Sequence, residues 1–131
     1  MSEENVEVVR SGFELFGSDE VFELLAADVV WEVRPDLPDA AVYRGRDGVR
    51  QLYRRFDEVM DDIWFRPEEF IPVGDDQVVV PLRWGGRGKG SGLDFEESRE
   101  TWVFTLRGGK IARVQEFATR ERALEAVGLP E

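Results

Sequence analysis

Residues 76–119 read DQVVVPLRWGGRGKGSGLDFEESRETWVFTLRGGKIARVQEFAT, and this stretch decides the fold. QVVVPLRW (77–84) and SRETWVFTL (98–106) carry the Val, Thr, Trp and Phe that suit a pleated surface, and GKIARVQEF (109–117) makes a third run. GGRGKGSG (85–92) and RGGK (107–110) punctuate them as flexible hairpin connections. Side chains alternate along a strand, so Ser98, Glu100, Trp102 and Phe104 share one face while Arg99, Thr101, Val103 and Thr105 share the other. The first face is aromatic with an acid in it, which suits a pocket wall as well as a core.

Upstream, helical patterns dominate. Val6, Val9, Phe13 and Phe16 recur at helical spacing and predict a helix over 3–16, stopped by Gly17. Ser18 caps a short second helix with Asp19 and Glu20 in its first turn. DVVWEVR (28–34) predicts a strand with Val29, Trp31 and Val33 on one face, ended by Pro35. A long loop, PDLPDAAVY (35–43), has the length of a pocket rim or lid. A third helix is expected over 47–60, burying Val49, Leu52, Tyr53, Phe56, Val59 and Met60. IWFRPEEFIPV (63–73) carries two prolines, which demote it to an edge or bulged strand. Thr119 caps a short terminal helix ended by Gly128. Segregated helices and antiparallel strands make an α+β domain, with a curved sheet wrapped around its helices.

Composition narrows the function. A chain of 131 residues with 42% hydrophobic content is the size of one domain, so a single domain over 1–131 is expected. No run reaches the roughly 18 apolar residues of a membrane span. The N-terminus MSEENVEVVR is acidic where a secretory signal is basic and then apolar, so a soluble, cytoplasmic protein without a membrane partner is expected. The sequence contains neither cysteine nor histidine. That removes thiolate chemistry and the commonest general base and metal ligand, leaving carboxylates, Tyr, Lys, Arg and backbone dipoles. A net charge of -11 repels phosphate backbones and argues against nucleic acid. The pairs Asp61-Asp62, Glu68-Glu69 and Asp75-Asp76 sit at turns and strand edges and read as solvated charge; no metal and no cofactor is expected. GGRGKGSG lacks the spacing of a phosphate-binding loop and joins strand to strand.

Three motifs in order carry a family resemblance: YRGRDGVRQLYRRF (43–56) after the DVVWEV strand, TWVFTLRGGKIARVQEF (101–117), and the tail RERALEAVGL (120–129). Together they resemble the SnoaL-like branch of the NTF2-like superfamily, which has the ketosteroid isomerase-like fold. The resemblance implies an α+β cone: a strongly curved mixed sheet enclosing a mostly apolar pocket, closed by the N-terminal helices, in homodimers that associate through the sheet. The face with Arg83, Arg99, Thr101, Val103 and Thr105 suits that association.

The resemblance implies less about reaction, because the superfamily holds isomerases, cyclases, hydrolases, dehydratases and binding modules. It places Val33 where ketosteroid isomerases carry an aspartate base, and valine takes no proton. SnoaL-type cyclases use a histidine and an aspartate, and this chain has no histidine. An epoxide-hydrolase site needs two carboxylates around an arginine; Arg83, Glu97, Arg99, Glu100 and Glu116 supply the residue types on neighbouring strands. The expected pocket lining is Trp31, Val33, Tyr43, Tyr53, Phe56, Met60, Trp84, Glu100, Trp102 and Phe117, with Phe117 facing inward only if a bulge interrupts its strand. Glu100, beside two aromatics, is the candidate for proton transfer, its alternative being a salt bridge to an arginine on a flanking strand such as Arg83 or Arg113. The reading is a module binding a small apolar molecule without a complete recognised catalytic set. The alternative is a carboxylate acid/base enzyme of the isomerase, cyclase or epoxide-hydrolase type, acting on a polyketide-, terpenoid- or steroid-like substrate.

Overall fold

A computed structural model of the chain describes residues 2–36, 41–88 and 94–129. In chain order the elements are helix α1 (Ser2–Glu14), a 3₁₀ helix (Asp19–Leu24), strands β1 (Leu25–Glu32) and β2 (Val42–Arg44), and helix α2 (Gly45–Val59). Strands β3 (Met60–Pro67), β4 (Ile71–Val73), β5 (Gln77–Gly88), β6 (Asp94–Arg107) and β7 (Lys110–Phe117) follow, and helix α3 (Arg120–Ala126) closes the chain. The middle of the expected rim loop, 37–40, and the tip of the glycine-rich segment, 89–93, lie outside the described residues.

The strands form one curled sheet in the order β2-β1-β7-β6-β5-β3, with β4 also paired to β5. All pairings are antiparallel except β1 with β7, which is parallel, so the sheet is mixed. Helices α1 and α2 pack inside the curl, and the architecture is the α+β cone that the resemblance implies. Gly108 and Gly109 both take positive φ, +58° and +78°, as a two-residue turn between β6 and β7 demands.

Strand alternation divides the core in two. Val78, Val80 and Leu82 of β5 and Trp102 and Phe104 of β6 face the helices, joined by Val9, Phe13, Trp31, Leu52 and Val114. The odd-numbered positions point the other way, where Val79 and Val103 are buried under Ala123 and Leu124 of α3. Part of the face expected to serve association is thus covered by the chain itself. The terminal helix, anchored where the Thr119 hydroxyl accepts from the Arg122 N–H at 3.2 Å, already covers Val103. Beyond α3 the same face is ionic: Arg83 lies within ion-pair distance of Glu68 and Glu97.

Two sequence readings of local structure change. Gly85–Gly88 extend β5 instead of forming a loop, paired with β3. The glycines are there for space: a Cβ on Gly85 would stand 2.8 Å from Cζ2 of Trp64, and one on Gly86 2.7 Å from Cε of Met60. Helix α2 ends one residue before Met60, and Val59, expected inward, is 59% exposed.

Candidate functional site

Between α2 and the aromatic face of the sheet lies a cavity of about 340 Å³. Seven of the expected residues line it: Val33, Tyr43, Phe56, Met60, Trp84, Glu100 and Trp102. Leu52, Arg55, Val59, Ile63, Phe65 and Glu116 complete the wall. Trp31 and Tyr53 do not reach this space. They sit deeper, against a void of only about 30 Å³, and pack edge to face with centroids 6.1 Å apart. Inward-facing aromatic side chains fill interior as readily as they line a cavity, and here α1 closes over these two. Trp31 and Trp102 do share a face, with centroids 5.3 Å apart.

Phe117 is on the other face, packed with Val79, Val103 and the α3 residues. The bulge that its inward placement required is present, with a register shift between β6 and β7 at Thr105/Leu106. It falls early in β7, so Ile111 and Val114 both point inward, alternation then resumes, and Glu116 takes the inward position that Phe117 was expected to hold.

The consequence is a pair of buried carboxylates at one end of the cavity. Glu100 and Glu116 are 6% and 7% exposed. Three indoles hold them. Glu100 accepts from Trp102 Nε1 at 2.8 Å through Oε1 and from Trp84 Nε1 at 3.1 Å through Oε2. Glu116 accepts from Trp31 Nε1 at 2.7 Å through Oε2. Arg34, just beyond β1, reaches both: its backbone N–H donates to Glu116 Oε1 at 3.4 Å and its guanidinium to Glu100 Oε2 at 3.4 Å. The same guanidinium forms two hydrogen bonds to Asp36, at 3.0 and 2.5 Å.

These surroundings separate the two acids. Burial, and then the Glu100 charge, push Glu116 from the ordinary 4.5 to about 7, against the hydrogen bonds from Trp31 and the Arg34 N–H, which pull it down. Glu100 by contrast has a guanidinium and two indole donors of its own. A buried carboxyl that keeps its proton up to about neutrality is the kind of group from which acid/base sites are built.

Of the residues the sequence offered for an arginine-centred carboxylate site, Glu100 and Glu116 converge. Arg83, Glu97 and Arg99 belong to the outer, ionic face with Glu68. Arg113 pairs with Glu32, so neither Arg83 nor Arg113 is the partner of Glu100. The cationic partner is Arg34, which strand parity assigned to the face opposite Trp31; it lies past the last β1 residue, where parity no longer governs direction. Among the described residues no cluster of Asp and Glu has the form of a metal site, and no helix is long and apolar enough to cross a membrane.

The SnoaL-like domain model matches residues 11–114. No curated protein matches the chain. Among solved structures, an NTF2-like protein from Burkholderia xenovorans LB400 is 25% identical with a TM-score of 0.75, covering 98% of each chain. Bal32a, from a soil-derived mobile gene cassette, is 18% identical with a TM-score of 0.79 over 96% of this chain and 97% of its own. A protein from Jannaschia sp. CCS1 described as a SnoaL-like polyketide cyclase is 20% identical with a TM-score of 0.75, covering 99% of this chain and 95% of its own.

Proposed function

Because the chain belongs to the SnoaL-like family, we propose that its cavity binds one small, mostly apolar molecule between α2 and the aromatic face of the sheet. The observation that carries this reading is a space of about 340 Å³, walled by Leu52, Phe56, Met60, Phe65, Trp84 and Trp102, with its two buried carboxylates gathered at one end. That volume lies within the roughly 300–1,000 Å³ of small-molecule sites, and apolar walls with a few convergent polar groups are their usual composition. Binding excludes water from the aromatic walls, while the carboxylates fix the orientation of whatever polar group the molecule bears.

A panel of ring-bearing apolar compounds, followed by thermal shift and by quenching of tryptophan fluorescence, tests the reading. A binder should raise the melting temperature and lose its effect when Phe56→Ala or Leu52→Phe reshapes the wall. A panel that leaves both signals unmoved argues against it.

The raised Glu116 favours a second reading, an acid/base enzyme acting on a polyketide-, terpenoid- or steroid-like ring. The polyketide cyclase description belongs to the Jannaschia protein; for this chain it suggests the substrate class to try first. Glu116 would hold the mobile proton, with the Glu100 carboxyl and the Arg34 guanidinium beside it. The site then has the parts of an epoxide-hydrolase or isomerase site, two carboxylates and an arginine, without the valine-substituted isomerase base at position 33. With a substrate identified, Glu116→Gln should lower turnover far more than affinity, and a variant of unchanged turnover excludes this role.

A further inference from the structure

Hydrogen-bond donors and acceptors are unevenly spent in this cavity. All three indole N–H groups near the carboxylates, those of Trp31, Trp84 and Trp102, already point at Glu100 or Glu116. What remains for a ligand at that end is the unused lone pairs of four carboxylate oxygens and the faces of aromatic rings. Carboxylates accept and aromatic faces attract cations, so the end of the cavity is built for a donor that carries positive charge.

The charge count agrees. Among the described residues the one guanidinium hydrogen-bonded to either acid is that of Arg34, on Glu100, and it is already shared with Asp36. On the other side of Glu116, Asp36, Arg122 and Glu125 line one groove, and Glu32, paired with Arg113, lines another. Among the described residues that line the cavity the one cation is Arg55 of α2, which is exposed and donates to the Tyr43 hydroxyl at 3.0 Å, at the solvent side. A proton held on Glu116 relieves that negative charge. An entering cation would relieve it equally well and release that proton. The chain's net charge of -11 favours the approach of such a ligand over that of an anion.

We propose that the molecule bound here is an apolar amine, its ammonium group hydrogen-bonded at Glu116 and Glu100 and its hydrocarbon body between Phe56, Phe65, Trp84 and Trp102. The assignment rests on the binding reading above and narrows it to one chemical class.

Three compounds of one shape separate the possibilities: adamantylmethylamine, adamantylmethanol and adamantane carboxylate, each titrated into the full-length protein by calorimetry. Above about pH 8 the amine should bind at least tenfold tighter than the alcohol, and the carboxylate most weakly. The amine keeps its charge throughout, so its advantage should shrink as Glu116 takes up a proton below about pH 7, and amine binding near neutrality should release a proton into the buffer. In Glu116→Gln the amine-to-alcohol affinity ratio should fall towards one; should that variant not fold, the pH series on the wild-type chain decides alone. An alcohol that binds as tightly as the amine, or an amine preference that is independent of pH or survives Glu116→Gln, overturns the amine assignment and leaves apolar binding standing. If none of the three binds, both readings fall.

Discussion

Trp102 on β6 is the direct cross-strand partner of Glu116 on β7, yet its indole N–H turns along its own strand to Glu100, 2.8 Å away. Glu116 is left to Trp31, from the strand on its other side. The acid with two indoles and a guanidinium has its negative charge supported, whereas the acid with one indole and a distant backbone N–H bears most of the cost of burial. Inequivalent neighbours therefore separate two chemically identical side chains.

The first prediction concerns stability and pH. Glu116 titrates at about 7 in the folded chain against 4.5 ordinarily, so the folded state holds the proton more tightly. Stability should fall as pH rises from about 4.5 to about 7 and then level off, the ionisation of this one group costing on the order of 3 kcal/mol. Glu116→Gln, which cannot ionise, should flatten that slope in chemical denaturation. An unchanged slope in the variant would place the titration elsewhere.

The second prediction separates the two causes of the raised value. Burial is the larger and the Glu100 charge the next, so Glu100→Gln should lower the Glu116 titration without returning it to 4.5. Carbon-detected NMR of the Glu116 carboxyl in that variant reads it directly. A titration that stays put would mean that the two acids do not couple, and one that moves up would mean that the Glu100 charge is not what raises it.

A third prediction concerns assembly. We propose that two copies pair through the outer sheet face beyond α3, where Arg83 and Arg99 alternate with Glu68 and Glu97. A surface carrying both signs can complement itself across a two-fold axis. Light scattering should give a particle of twice the 15.0 kDa chain mass, reduced towards that mass by Arg83→Glu. A particle of one chain mass at high concentration rules the pairing out.

The sheet was legible because QVVVPLRW and SRETWVFTL are rich in β-branched and aromatic residues between glycine turns, and side-chain alternation along the second set Glu100 and Trp102 on the correct face. Where the period breaks, reading fails. In β7 one bulge brings Ile111 and Val114 to the same face, and regular alternation after Val114 gives the inward place to Glu116, where Phe117 would have needed a second bulge. Arg34 was missed because it follows the strand's last residue. Trp31 on β1 and Tyr53 on α2 have the correct direction but the wrong depth, since strand alternation and helical spacing specify a face and not how far α1 closes over it. The glycines of β5 looked like a turn because their reason is the bulk of Trp64 and Met60, some twenty residues earlier in the chain.

That packing yields the last prediction. At Gly85 an added Cβ would lie 2.8 Å from Cζ2 and 3.0 Å from Cε2 of Trp64, closer than carbon atoms tolerate, so the ring or the strand must move. Trp64 cannot swing out freely, because Arg66 is stacked over it with its guanidinium carbon 4.5 Å from the ring centre. Gly85→Ala should therefore cost about 1–3 kcal/mol, the usual range for overpacking, and disturb the β3–β5 edge of the cavity. Gly12 in α1 provides the contrast: there the nearest atom to a new Cβ is Cδ1 of Ile111 at 3.7 Å, an ordinary contact. With room available and the helical entropy cost of glycine removed, Gly12→Ala should leave stability unchanged or raise it by up to about 1 kcal/mol. Denaturant midpoints of the two variants decide the matter, and a Gly85→Ala protein as stable as Gly12→Ala would show that Trp64 does not hold the position described.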